Sequence, residues 1–373
     1  MKIQRIETYP VRIPLKPERR MITSLGVHDV SQYVLVRLLT DSDVEGAGEA
    51  TVSPLWSGET VGGCGAVIEQ FFAPALVGCE VSDIDEIVRR MDFACKHNWF
   101  AKAAVEMACW DAWGKLAGKP VYELLGGPQR PLAFRCRFSM GAYEVERARR
   151  VAAERVAVGF TTIKVKVGGE SNDDLLRVRA VREVIGPELA LDIDANCGWS
   201  AETAIRKIKA LADCRLALVE QPTPDGDYEA IARVRRETGC TMMADDMCFD
   251  LAHARELIRH EACDVINAYP GKHGGIGKAR RIVDFAGSHG VVCTIGSNLE
   301  LDVATAAMAH LVVGCRNMQV ERFPGDALGP IYHEVSIAKN PVRIEGPLVT
   351  APNGPGLGVE VDWDVVREYG CPG

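Results

Sequence analysis

The chain has 373 residues, 47% of them hydrophobic and 25% charged, which is enough for a large core plus a companion domain and leaves no room for a long disordered segment. A formal net charge of -8 argues against a nucleic-acid surface, which needs clustered Lys and Arg, and no apolar run approaches the roughly 18 residues of a membrane span. The 13 cysteines are odd in number, scattered and never spaced CxxC, so neither a disulfide framework nor a structural zinc site is expected.

The opening MKIQRIETYPVRIPL alternates like a strand rather than reading as a signal peptide, so a cytoplasmic address is expected. A second strand, QYVLVRLLTD, ends at a polar turn, and helical stretches follow from Gly65 to Val77 and from Val81 to Asp92. The Ala-rich AKAAVEMACWDAWGKLAG predicts a further helix ending at Gly118, with Pro120 restarting the chain. Residues 1–128 therefore read as an α+β domain.

From about Leu132 the rhythm changes to short β-branched runs alternating with amphipathic stretches such as NDDLLRVRAVREVI and AETAIRKIKALA. The strand candidates are AFRCRFSM, TTIKVKV, LALDIDA, LALVEQP, TMMADD, DVINAYP, VVCTIGS and NMQVERF. Eight parallel strands with right-handed crossovers close into a barrel, here over residues 129–327. Residues 328–373, including PVRIEGPLVTAPNGPGLGVEVD, are again extended and turn-rich and are expected to return to the first domain. The predicted fold class is α/β: a modified TIM (β/α) barrel with an α+β capping domain made from both ends of the chain.

Polar residues recur at the C-terminal ends of these strands: Lys164 and Lys166, then Asp194, Glu220, Asp245, Tyr269, Ser297 and Glu321. In a barrel those ends surround one mouth. A lone strand-end Asp is more often a solvated acid or a helix N-cap, but three acids on consecutive strands, Asp194, Glu220 and Asp245, make an all-oxygen set suited to Mg²⁺ or Mn²⁺. Such an ion stabilises the enediolate that forms when a proton is removed beside a carboxylate. Strand alternation turns Lys164 and Lys166 inward together, and a lysine crowded by a like charge gives up its proton more readily. Lys166 is assigned as the acid/base, and Lys164 as the group that holds the carboxylates or a substrate oxygen. GGPQRP and the pair at Gly274 lack Walker spacing and read as turns, while Glu300 and Asp302 are placed to begin a helix.

AKAAVEMACWDAWGKLAGKPVYELLGG, the KVK pair, DIDAN with VEQP about 26 residues later, MADD, KHGGIG and the closing GPGLGVEVD together resemble the enolase superfamily. They are closest in pattern to its mandelate racemase/muconate lactonizing enzyme family, on the muconate lactonizing branch. The resemblance implies Mg²⁺ on Asp194, Glu220 and Asp245, catalysis by the lysine pair, a small carboxylate substrate and a homo-oligomer, dimeric or octameric. It also implies that Glu321 contacts the substrate carboxylate, that Asn196 lines the metal site, and that the loops Glu18 to Asp29 and Ser53 to Gly63 set specificity. Arg19, Arg20, His28 and Trp56 on those loops are thereby candidate substrate contacts, with Ser297 a further one on strand 7.

One departure from the family pattern bears on the reaction. Similar enzymes carry N-x-K-x-x-K-x-G-G on strand 6, whereas NAYPGKHGG puts Tyr269 at the first lysine position. Tyr269 could act as an acid, Lys272 could swing in from one turn later, or that face could be inert. Racemisation and epimerisation need proton transfer on both faces, so their odds fall. The expectation is an isomerase like muconate cycloisomerase, with a hydroxy-acid or acid-sugar dehydratase as the alternative and a non-catalytic binding protein behind both.

Overall fold

The computed structural model describes residues 1–24, 26–169 and 173–372. Leu25 of the first specificity loop, and Asn172 at the expected start of the helix NDDLLRVRAVREVI, lie outside the described residues.

The N-terminal part contains β1 (Ile3–Pro14), a short hairpin of β2 (Met21–Thr23) and β3 (Gly26–His28), then β4 (Val30–Thr40) and β5 (Glu45–Val52). β1, β4 and β5 form an antiparallel sheet in which Pro14 pairs with Val30 and Gln32 with Val52. The helix Trp99–Ala117 lies across this sheet, and its run of small residues allows a close approach. Gly48 is obligatory there, because a Cβ would collide with the Ala104 carbonyl. Gly118, at φ 63, closes the helix by donating to the Lys115 carbonyl, as a left-handed cap should.

The chain then makes β6 (Ala133–Arg135), β7 (Phe138–Met140), β8 (Thr162–Lys166), β9 (Ala190–Asp194), β10 (Leu218–Glu220), β11 (Met242–Ala244), β12 (Val265–Asn267) and β13 (Val292–Thr294). β7 to β13 form one curled parallel sheet in sequence order, with helices between successive strands. The expected eighth strand, NMQVERF, is not a strand. Met318 makes a single parallel bridge to Cys293 and Gly325 one to Cys136, so the closing stave is irregular. Pro324 has no N–H to donate, and a Cβ at Gly325 would strike the Ile295 carbonyl, so regular pairing is unavailable there.

The expected first strand, AFRCRFSM, also divides. β6 pairs with β15 (Leu348–Thr350), itself in a hairpin with β14 (Arg343–Glu345), while β7 enters the barrel. The exchange falls at Cys136 and Arg137, whose N–H groups donate to Pro347 and Gly325 respectively. Further along, Gly356 bridges Pro120 and Gly370 bridges Val11, so the C-terminal segment, paired with β6 through β15, also returns to the N-terminal part.

Two carboxylates join cap to barrel. Glu49 of β5 accepts from the N–H groups of Leu301 and Ala304 (2.7 and 3.0 Å), at the start of the helix Asp302–Gly314. Glu106 accepts from Ile276 and Gly277 (2.7 and 2.8 Å), at the start of the helix Ile276–Ser288. Each satisfies donors that a helix start leaves without partners. One contiguous apolar core runs through both parts. Among the described residues no helix is long and apolar enough to cross a membrane.

Candidate active site

Lys166, Asp194 and Glu220 stand at one level, because β8, β9 and β10 are parallel and these residues pair across them. Asp245 follows the last residue of β11. Four cationic side chains grip the acids. Lys166 Nζ lies 2.6 Å from Asp194 Oδ2 and 2.6 Å from Asn196 Oδ1. Lys164 Nζ lies between Asp194 Oδ2 (3.2 Å), Glu220 Oε2 (3.1 Å) and Asp326 Oδ2 (3.0 Å). Arg137 Nη2 reaches Glu220 Oε2 at 2.6 Å and Asp326 Oδ2 at 2.9 Å, and its Nη1 reaches Asp192 Oδ2 at 3.3 Å. Lys272 Nζ lies 2.6 Å from Asp245 Oδ1 and donates also to the Asn267 and Asp245 carbonyls.

These neighbours set the charges. Burial and Arg137 push the Lys164 pKa down, but Asp326, Glu220 and Asp194 outweigh them and hold it above the usual lysine value. Against burial, Lys166 and Lys164 bring Asp194 down to about 2. Glu220 is pushed up by burial, with repulsion from Asp194 and Asp245 added against the pull of Arg137 and Lys164. Asp246 rises to about 8 through burial and the negative charges of Asp245 and Asp194.

A cavity of about 170 Å³ opens above this floor. Of the residues expected at the site, His28, Trp56, Lys164, Lys166, Asn196, Asp245, Tyr269 and Ser297 line it, while Asp194 and Glu220 are fully buried. Trp56, at the end of the cap loop, donates from Nε1 to Asp246 Oδ1 (2.6 Å) and stacks on Tyr269 with ring centroids 6.1 Å apart. His28 Nε2 is 2.7 Å from Ser31 Oγ, and Ser297 Oγ donates to Glu300 Oε2 at 2.6 Å.

Four residues stand elsewhere than expected. Glu321 does not line the cavity; its side chain is 62% exposed and lies 3.5 Å from Arg130. The irregular closing stave carries it outward and brings Asp326 into the mouth instead, on Ser139 Oγ, Arg137 and Lys164. Arg19 is held over the rings of Phe138 and Tyr332 (5.7 and 5.5 Å) and lines a separate cleft. Arg20, from the same loop, does not line the cavity either and lends its carbonyl to Tyr143 Oη. Lys272 does not line the cavity: the helix Pro270–His273 turns it back onto Asp245, where it is fully buried.

Arg137 and Asp326 join the acids and lysines at the floor of the cavity and were not expected there from the sequence. Arg137 sits beside the sheet exchange, where alternation cannot be counted, and Asp326 follows the Pro324–Gly325 break.

β8 and β12 are the second and sixth staves of the eight around the mouth, counting the irregular one, so Lys166 and Tyr269 face each other across it. Burial, then repulsion from Asp245 and Glu300, raises the Tyr269 phenol well above its ordinary pKa. Among the described residues none hydrogen-bonds to its hydroxyl.

The donor set suits a hard divalent cation. Three acids end adjacent staves, burial and then their mutual repulsion raise Glu220, and among the described residues the buried Asp246 Oδ2 beside them has no hydrogen-bond partner. Among the described residues no three acidic side chains converge on a single point, each being drawn to a cation of the protein instead.

A capped barrel with acids on three successive staves and a lysine pair on the stave before them is the plan of an enolase-superfamily enzyme. Residues 5–126 match the mandelate racemase / muconate lactonizing enzyme N-terminal domain and residues 146–365 the enolase C-terminal domain-like family, and the chain belongs to the mandelate racemase/muconate lactonizing enzyme family. Muconate cycloisomerase 1 of Rhodococcus opacus is 31% identical over 374 residues, 99% of this chain and 98% of that protein. Cis-3-hydroxy-L-proline dehydratase of Roseibium aggregatum is 33% identical over 372 residues, covering 99% and 98% respectively. The crystal structure of the dipeptide epimerase from Enterococcus faecalis V583, complexed with Mg and L-Leu-L-Tyr, superposes with a TM-score of 0.91 at 32% identity, covering 96% of this chain and all of that one. The related enzymes thus include isomerases, epimerases and a dehydratase.

Proposed function

We propose that this enzyme carries out one-base chemistry beside the carboxylate of a small acid, making or breaking a C–O bond at the β-carbon in the manner of a muconate cycloisomerase. The observation that carries the proposal is the opposition of Lys166 to Tyr269: one amine reaches the α-carbon, and a neutral phenol faces it. Lys166 takes the α-proton. Lys164, protonated and anchored by Asp326, Glu220 and Asp194, offsets the charge that builds on the substrate carboxylate. Asp194, Glu220 and Asp245 would hold Mg²⁺ (or Mn²⁺), which supplies electrostatic stabilisation of that same charge. Trp56, tied to Asp246, closes one wall and excludes water.

In the cycloisomerase direction that opens a lactone, the leaving group is the ring carboxylate and needs no proton. A second reading, dehydration of a β-hydroxy acid, is favoured by the Tyr269 hydroxyl, which lines the cavity, has no hydrogen-bond partner among the described residues and could protonate a departing hydroxyl. Incubating the Mg²⁺-loaded enzyme with muconolactone, a panel of β-hydroxy acids and a panel of L,L-dipeptides separates these. Ring opening supports the first reading, and an α,β-unsaturated acid, or the 2-keto acid or cyclic imine to which it tautomerises when the α-carbon carries a hydroxyl or an amine, supports the second. Epimerised dipeptides as the main product would overturn both.

A further inference from the structure

A second cavity, of about 430 Å³, lies where the cap helix Trp99–Ala117 begins beside the barrel helix Ile276–Ser288, and it shares no lining residue with the active site. Its character is unlike that of the catalytic mouth. The indole of Trp99 supplies a flat apolar wall, with the ammonium groups of Lys102 and Lys278 at 5.5 and 5.4 Å from its centroid. Both amines share one oxygen of Asp92, at 2.9 and 2.6 Å, so a single carboxylate answers two positive charges. Lys96 adds a third charge at the rim with no carboxylate against it among the described residues, and Arg281 a fourth, paired with Asp85. The other lining acid, Asp250, is engaged by His253. The cavity is therefore left positive.

The second observation is His273, which lines the cavity and is fully buried. Its Nδ1 lies 3.0 Å from the Phe249 carbonyl, which can only accept, so that nitrogen carries the proton of the neutral ring. Burial and the charge of Lys272 keep the ring neutral, bringing it down to about 3. Nε2 is then a lone-pair acceptor, and it has no hydrogen-bond partner. A buried acceptor left unmatched is unfavourable, and a ligand that donates to it recovers that energy.

We infer that this cavity binds a flat organic carboxylate bearing one hydrogen-bond donor: the ring lies on Trp99, the carboxylate meets Lys96 and Lys278 within the positive field of Arg281, and the donor reaches Nε2 of His273. Apolar wall, cationic rim and lone acceptor each recognise one part of such a molecule. Lys272, next to His273, also holds Asp245, so occupancy here borders directly on the catalytic floor.

The probe is 4-hydroxybenzoate, titrated calorimetrically against the full-length Mg²⁺-loaded enzyme, with benzoate as the ligand lacking the donor. Expected results are saturable binding, an affinity for benzoate weaker by roughly three- to tenfold, as one hydrogen bond allows, and a similar loss in Lys96→Ala and in Arg281→Ala. Those two exposed residues lie outside the catalytic machinery, so both variants should keep their activity, which verifies folding. Lys166→Ala should bind the probe unchanged. Absence of binding, equal affinity for benzoate, or loss of binding in Lys166→Ala but not in the rim variants would each overturn the inference.

Discussion

At the scale of single residues, the chemistry rests on which amine can reach a substrate. Lys166 lines the cavity, Lys164 is locked among three carboxylates, and Lys272 is saturated by Asp245 and two carbonyls. Replacing Lys166 with Ala should lower turnover by roughly 10³, within the range a positioned proton-transfer group supplies, and should also lower the thermal midpoint of the metal-free protein, because the buried Asp194 loses its counter-charge. Tyr269→Phe distinguishes the two readings. Loss of the hydroxyl should slow dehydration by roughly 10² in kcat and leave lactone opening almost untouched. Glu321→Ala, at an exposed side chain, should shift activity and stability by no more than about 0.5 kcal/mol, whereas Asp326→Asn removes a buried counter-charge from Arg137 and Lys164 and should destabilise by about 3 kcal/mol. Denaturant unfolding of the two variants side by side checks that contrast.

The three acids were legible in the sequence because Asp194 and Glu220 each end a short apolar strand and Asp245 directly follows one. Asp326 was not, because no period of two survives Pro324 and Gly325. Nor could spacing show that the short helix after Tyr269 turns Lys272 backwards, or that Trp56 crosses from the cap to stack on Tyr269, since both depend on contacts between elements far apart in the chain.

At the scale of elements, cap and barrel are joined by acids that terminate each other's helices. Glu49→Ala would leave two N–H groups unmatched at the start of the helix Asp302–Gly314, a loss of about 2 kcal/mol readable as a lower thermal midpoint. Gly48→Ala would push a methyl against the Ala104 carbonyl and force the cap helix from its sheet, at about 1–3 kcal/mol. Burial lifts the Glu49 carboxyl from 4.5 to about 8, so between those values the folded state holds a proton that the unfolded chain has lost. Its contribution is complete below the unfolded pKa and disappears as pH rises through about 8. Thermal melts of the wild type should therefore decline from mildly acidic to alkaline pH, and Glu49→Gln, which cannot ionise, should flatten part of that decline. The repeating strand and helix rhythm, the Ala-rich helix and its Gly118 stop were all legible. The exchange of partners at Cys136 and Arg137 was not, because β6 finds its neighbour more than two hundred residues away, in β15.

At the scale of the whole molecule, a cap closes over a mouth whose two opposed staves carry an amine and a phenol. Enzymes that invert a centre need a proton acceptor on each side of the α-carbon, and here the second position offers a hydroxyl that burial and nearby acids keep protonated. In the proposed reading the first step is removal of the α-proton, and the identity of residue 269 narrows the fate of the enolate. The most direct test is proton NMR of a turned-over acid in D₂O with Mg²⁺, tracking the α-position of recovered substrate. The account predicts deuterium entering on one face with configuration retained, and no exchange at all in Lys166→Ala. Racemised substrate, or exchange that survives the loss of Lys166, would contradict it.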